Sequence, residues 1–127
     1  MSSSDLTSDP FTLTGSFNVT SDGTAGLDLT TGLTRTKIGT SATTIVASSG
    51  FSNTGESQLA YIYIKNFSSN VSSTVFTDAI LITVGTAALG YLAGGQSVIL
   101  PYSADSDLKL TADTADTVIE YQLIHTD

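Results

Sequence analysis

Apolar and polar residues alternate along much of this chain, and the alternation has a period of two. Near the start, Phe11, Leu13, Phe17 and Val19 fall on one side, with Thr12, Thr14, Ser16 and Asn18 on the other. Successive side chains of a strand point to opposite faces, so this pattern predicts a strand with one buried face. Ser21-Asp22-Gly23-Thr24 reads as a turn, because Asp-Gly tolerates the positive φ of tight hairpins, and Leu27 and Leu29 continue the partner strand. Gly32, Gly39 and Gly50 divide the next stretch into short extended pieces, Thr43 to Ala47 among them. The first ten residues are expected to be disordered.

The later pattern is stronger. Gln58 to Phe67 sets Leu59, Tyr61, Tyr63 and Phe67 against Ala60, Ile62 and Ile64. A strand apolar on both sides belongs in the middle of a sheet or between layers. Asn66 to Thr74 reads as a loop, and Val75 to Val84 as a second strand apolar on both faces. Gly85 to Ala88 predicts a turn, and Gly90 and Gly94-Gly95 bracket the short apolar piece Tyr91-Leu92. Ser97 to Tyr102 forms a strand ending at Pro101, whose missing N–H suits a strand end. Asp107 to Ala112 alternates Leu108 and Leu110 with Lys109 and Thr111, and Thr117 to His125 forms the last strand.

Strands recurring about every 8–12 residues, with no helical period between them, mark an all-β antiparallel sandwich or small barrel. The expected fold is a jelly-roll-like β-sandwich with an extended N-terminal segment. Composition divides the chain into residues 1–54, rich in Thr, Ser and Gly and serving as an arm or as first strands, and a sandwich core over residues 55–127. No internal repeat of solenoid or propeller period is present.

Composition agrees with strands. Of 127 residues, 39 are Ser or Thr, and helix formers such as Glu and Lys are scarce. Thr suits a half-exposed pleated surface, and Ser and Gly suit turns. Apolar residues make up 40% and charged residues 13%, the balance of a chain that buries surface. A core of about 70 residues is marginal alone. The absence of cysteine leaves it no disulfide to lean on. Doubly apolar strands therefore predict a symmetric oligomer or docking on a larger body.

The net charge of −8, with Arg35, Lys37, Lys65 and Lys109 as the only basic residues, argues against direct binding to nucleic acid or anionic lipid. Met1 to Asp5 lacks the basic and apolar regions of a secretory signal. The apolar run Ala79 to Val84 falls far short of the roughly 20 residues needed to cross a bilayer.

Candidate chemistry is sparse. His125, the single histidine, lies two residues from the end, where a fixed neighbour and a dry pocket are not provided by default. No enzyme activity, cofactor or metal is expected. Asp105, Asp107, Asp113 and Asp116 form the densest carboxylate group. They read as solvated turn residues, with calcium ligation as the alternative, although the central Gly and closing Glu of an EF-hand loop are missing. Gly94-Gly95-Gln96-Ser97 precedes a strand, so it reads as a tight turn and not a phosphate cradle. Asn18, Asn66 and Asn70 begin glycosylation sequons, which chance supplies readily in a Ser/Thr-rich chain. Tyr61, Tyr63, Tyr91, Tyr102 and Tyr121 serve core and interface packing by default, with a stacking platform for sugars or bases as the alternative; Tyr91 alone lies outside the proposed strands.

Three blocks in the C-terminal part, Tyr61-Ile-Tyr-Ile-Lys-Asn66, Leu89-Gly-Tyr-Leu-Ala-Gly-Gly-Gln-Ser-Val-Ile-Leu-Pro-Tyr102 and Asp107-Leu-Lys-Leu110, precede a closing Ile119-Glu-Tyr-Gln-Leu-Ile124. Together they resemble small tailed-phage virion structural proteins over about residues 56–126. The Thr-rich first third has no such counterpart. The resemblance implies a capsid decoration (cement) protein, a homotrimer that binds the major capsid protein between capsomers on the capsid exterior after synthesis in the host cytoplasm. It also admits a neck or tail accessory protein, or a fibre-tip module binding a receptor or carbohydrate. In the cement reading Phe11, Leu13, Phe17 and Val19 bury on another chain by strand addition.

Overall fold

The computed structural model describes residues 29–30, 32–51, 60–68 and 78–125. Among these residues the chain forms nine strands: β1 (Leu29–Thr30), β2 (Thr34–Ile38), β3 (Thr43–Val46), β4 (Ala60–Asn66), β5 (Ile80–Val84), β6 (Ala87–Leu92), β7 (Ser97–Pro101), β8 (Leu108–Ala112) and β9 (Thr117–His125). One 3-10 turn, Ser48–Gly50, follows β3.

The strands form two antiparallel sheets. In the first, β9 is flanked by β1 and β2 on one side and by β4 on the other, with β7 beyond β4; the second runs β3-β8-β5-β6. From β2 onward every connection crosses between the sheets except the β5–β6 hairpin. This order, β2-β9-β4-β7 facing β3-β8-β5-β6, is two Greek keys wound together, the jelly roll that the strand pattern predicts. Strands β2 and β3 come from the Thr/Ser/Gly-rich part, and each forms an edge of one sheet.

Register explains which residues are inside. In β4, Ala60, Ile62, Ile64 and Asn66 are buried and alternate with half-buried Tyr61, Tyr63 and Lys65. Ile62 pairs with Leu123 and Leu100, and Ile64 with Tyr121 and Val98, so these side chains share the inner face of the first sheet. The second sheet answers with Ile80, Ile82, Leu108, Leu110 and Ala112. Ile62, Ile64, Ile80, Leu110 and Ile119 are wholly buried, each stabilising the fold by about 1.5–3 kcal/mol.

Strand β6 departs from expectation. Its residues Ala87 to Tyr91 are all exposed, and only Leu92 turns into the core. An edge strand with one open side and two Ala residues carries no buried alternation, so the Gly-bracketed fragment Tyr91-Leu92 is the end of a longer strand. The expected turn is shorter as well. Gly85 and Thr86 close the hairpin, with Gly85 at φ +62°, which glycine adopts without a Cβ penalty. A register shift lies between Ile82 and Thr83, opposite the segment Ala88–Gly90.

Candidate functional site

The register of β4 and β9 builds one continuous outer face on the first sheet. Across it, Tyr61 lies between Ile124 and Pro101, and Tyr63 between Gln122 and Ile99; Glu120 sits between Arg35 and Lys65, and Val118 beside Lys37. The face thus grades from an aromatic and aliphatic half to a charged half. Ile99, on the edge strand β7, is 45% exposed.

The charged half is organised around two residues. Glu120 is buried, and its Oε2 accepts a hydrogen bond from Arg35 Nε at 2.8 Å. Tyr63 shares that carboxylate through a side-chain hydrogen bond, and partial burial together with Glu120 raises the phenol above its ordinary value of 10.0. Phe67 lies under two cations, with the Arg35 guanidinium 4.4 Å and the Lys65 ammonium 4.8 Å from its ring centroid. Such contacts are worth about 0.5–1 kcal/mol at exposed sites. Lys37 approaches Asp116 at 3.8 Å, with both side chains exposed. Three of the chain's four basic residues therefore occupy one face of a molecule with net charge −8.

A second concavity opens at the end of the sandwich where the β6–β7 turn nears the β8–β9 connection. Its volume is about 540 Å³, and it is lined by Ala79, Tyr91, Ala93, Gln96 and Asp113. Tyr91 is 68% exposed. The rim is braced: Gln96 Oε1 accepts from Ala93 N at 3.0 Å, and Asp113 N donates to the Ala79 carbonyl at 3.0 Å.

The remaining candidates resolve into structural parts. His125 packs edge-on against Phe51, ring centroids 5.3 Å apart. Asp107 Oδ1 accepts hydrogen bonds from the Ser48 amide at 3.0 Å and the Ser48 hydroxyl at 3.1 Å, and these hold its carboxyl below the ordinary 3.8. No group of three or more His, Cys, Asp or Glu converges on a metal position among the described residues. Gly94-Gly95 is a tight turn, with Gln96 N donating to the Ala93 carbonyl at 3.1 Å and Gly95 at φ +79°. Tyr102 is buried, and its hydroxyl donates to the Ser106 carbonyl.

Asn66 is a further finding that sequence reasoning missed, since its sequon drew attention to the wrong chemistry. The side chain is wholly buried. Nδ2 donates to the Asp78 and Leu92 carbonyls at 2.7 and 3.1 Å, and Oδ1 accepts from Ser68 N at 2.9 Å. The nitrogen that a glycan would need is occupied in the core. Phe11, Leu13, Phe17 and Val19, the residues expected to bury on a partner, lie outside the described residues, as do Asn18 and Asn70.

The fold defines the protein as a jelly-roll β-sandwich. No protein-family model matches the chain, and no curated protein matches it. Among solved structures it is similar to a chain from Bacillus endospore appendages, described as a family of disulfide-linked pili, with a TM-score of 0.53 and 14% identity over 84% of this chain and 96% of that one. At that identity the likeness is one of fold. The present chain has no cysteine and cannot form disulfide links. No helix among the described residues is long and apolar enough to cross a membrane.

Proposed function

We propose that this protein is a non-enzymatic structural subunit that works by contact within a larger protein assembly, and that the assembly is a virion, where it acts as a capsid decoration (cement) protein on the exterior. The observation that carries the contact role is the outer face of the first sheet. Tyr61, Tyr63, Ile99 and Ile124 form an apolar half beside the only basic cluster of an acidic chain. Such a face pairs greasy area for affinity with charge for orientation, as interfaces do. The opposing surface is acidic, as a second copy of this chain is and as a capsid protein surface can be. The virion setting rests on the resemblance of residues 56–126 to tailed-phage structural proteins.

A fibre or appendage setting is the second reading, favoured by the fold shared with a pilus subunit. Incubation with emptied capsids separates the two. Co-sedimentation with capsids at saturable stoichiometry, and a rise in their thermal resistance, supports the cement role. Filaments in electron micrographs without capsid binding would replace it with the appendage reading, and neither outcome would defeat both.

A further inference from the structure

We propose that the concavity beside β6 is a binding site for a short neutral glycan, with Tyr91 as the stacking plate and Gln96 and Asp113 as the polar groups that fix the sugar. Its volume of about 540 Å³ falls in the range of small-molecule sites. The wall is chemically mixed in the way a sugar requires. Tyr91 is 68% exposed, the largest exposure among the large apolar residues at the surface of the described residues. A pyranose offers one apolar C–H face to such a ring and hydroxyls around its edge.

Asp113 supplies a carboxylate that only accepts hydrogen bonds. Gln96 spends its carbonyl oxygen on Ala93 N, which orients the amide and leaves its NH2 group to donate. Hydroxyls donate and accept at once, so they satisfy both groups together. A lysine or arginine head only donates, and it would leave the Gln96 amide unmatched. An anionic sugar would face the Asp113 carboxylate and is disfavoured. Ala79 and Ala93 keep the floor shallow, and the Asp113–Ala79 backbone bond holds the two sides in fixed relation. None of its lining residues is among those that form the assembly face.

The test is a glycan array of neutral and sialylated oligosaccharides, followed by calorimetric titration of the full chain with the retained neutral sugar. Tyr91→Ala and Asp113→Asn should each weaken binding at least tenfold while the melting temperature stays that of the parent, because both side chains are exposed. In the unmodified protein, amide shifts on titration should centre on Ala79, Tyr91, Gln96 and Asp113, a readout that needs no variant. Failure to retain any neutral glycan, binding unchanged in both variants, or preference for a lysine-rich peptide would each overturn the proposal.

Discussion

Asn66, the last residue of β4 in one sheet, donates through Nδ2 to the carbonyl of Leu92, the last residue of β6 in the other, at 3.1 Å. The same nitrogen reaches the Asp78 carbonyl ahead of β5. Its backbone joins too, with Asn66 N donating to the Gln96 carbonyl and Gly95 N donating to that of Asn66. One buried residue therefore locks two connections, β4–β5 and β6–β7, at one end of the sandwich. Asn66→Leu keeps the branched shape but removes three hydrogen bonds, to the Asp78 and Leu92 carbonyls and from Ser68 N, and each buried group left unmatched costs about 1–3 kcal/mol. Urea unfolding should show that loss. A variant as stable as the parent would mean that the amide is dispensable.

The two faces of the first sheet should respond differently to truncation. Ile62→Ala removes a wholly buried side chain and should cost about 2–5 kcal/mol. Ile99→Ala, on the exposed face of the neighbouring strand, should stay within about 0.5 kcal/mol under dilute conditions where the protein is monomeric. Equal losses in thermal unfolding would contradict the inside-outside assignment of the first sheet.

Glu120 is buried while its partner Arg35 is 65% exposed. Solvent screens the guanidinium, so Arg35→Ala should cost on the order of 1 kcal/mol and not the larger cost of a fully buried pair. Glu120→Gln should cost less than Glu120→Ala, since the amide oxygen still accepts from Arg35 and Tyr63. A double-mutant cycle on Arg35 and Glu120, run at low and high salt, measures the coupling and should show it shrinking with salt.

Asp107 introduces a pH dependence with a definite sign. Its carboxyl titrates lower in the folded state than its ordinary 3.8, because the charged form accepts two bonds from Ser48. The unfolded chain therefore binds the proton first as pH falls. The contribution is fully present above 3.8 and disappears as pH drops through the lower folded value. Melting temperatures of the parent and Ser48→Ala should converge in acid and separate toward neutral pH. A constant difference across that window would remove the Ser48–Asp107 contact as its cause.

Much of this architecture is legible in the residue pattern. Alternation placed the last strand at Thr117–His125, the bounds it has in the structure, and put Ile62 and Ile64 opposite Tyr61 and Tyr63. Periodicity works there because both faces of those strands meet distinct surroundings. It failed at β6, where Ala-Ala-Leu-Gly lies on an open edge and burial leaves no imprint. The charged half of the outer face was hidden for another reason. Arg35 and Lys65 are thirty positions apart, and only their shared pairing with Glu120 brings them together. Asn66 was equally invisible, because its partners Asp78 and Leu92 are distant in sequence and their backbone carbonyls carry no residue signature.

The proposed role requires the outer face of the first sheet to be a contact surface. Light scattering on chromatographed protein tests this most directly, comparing the parent with Tyr61→Glu/Ile99→Glu, a pair of changes on that face alone. The parent should elute with the mass of an oligomer, and the variant should elute as a folded monomer. A variant that keeps the parent's oligomeric mass, or a parent that is monomeric and binds no partner through this face, would contradict it.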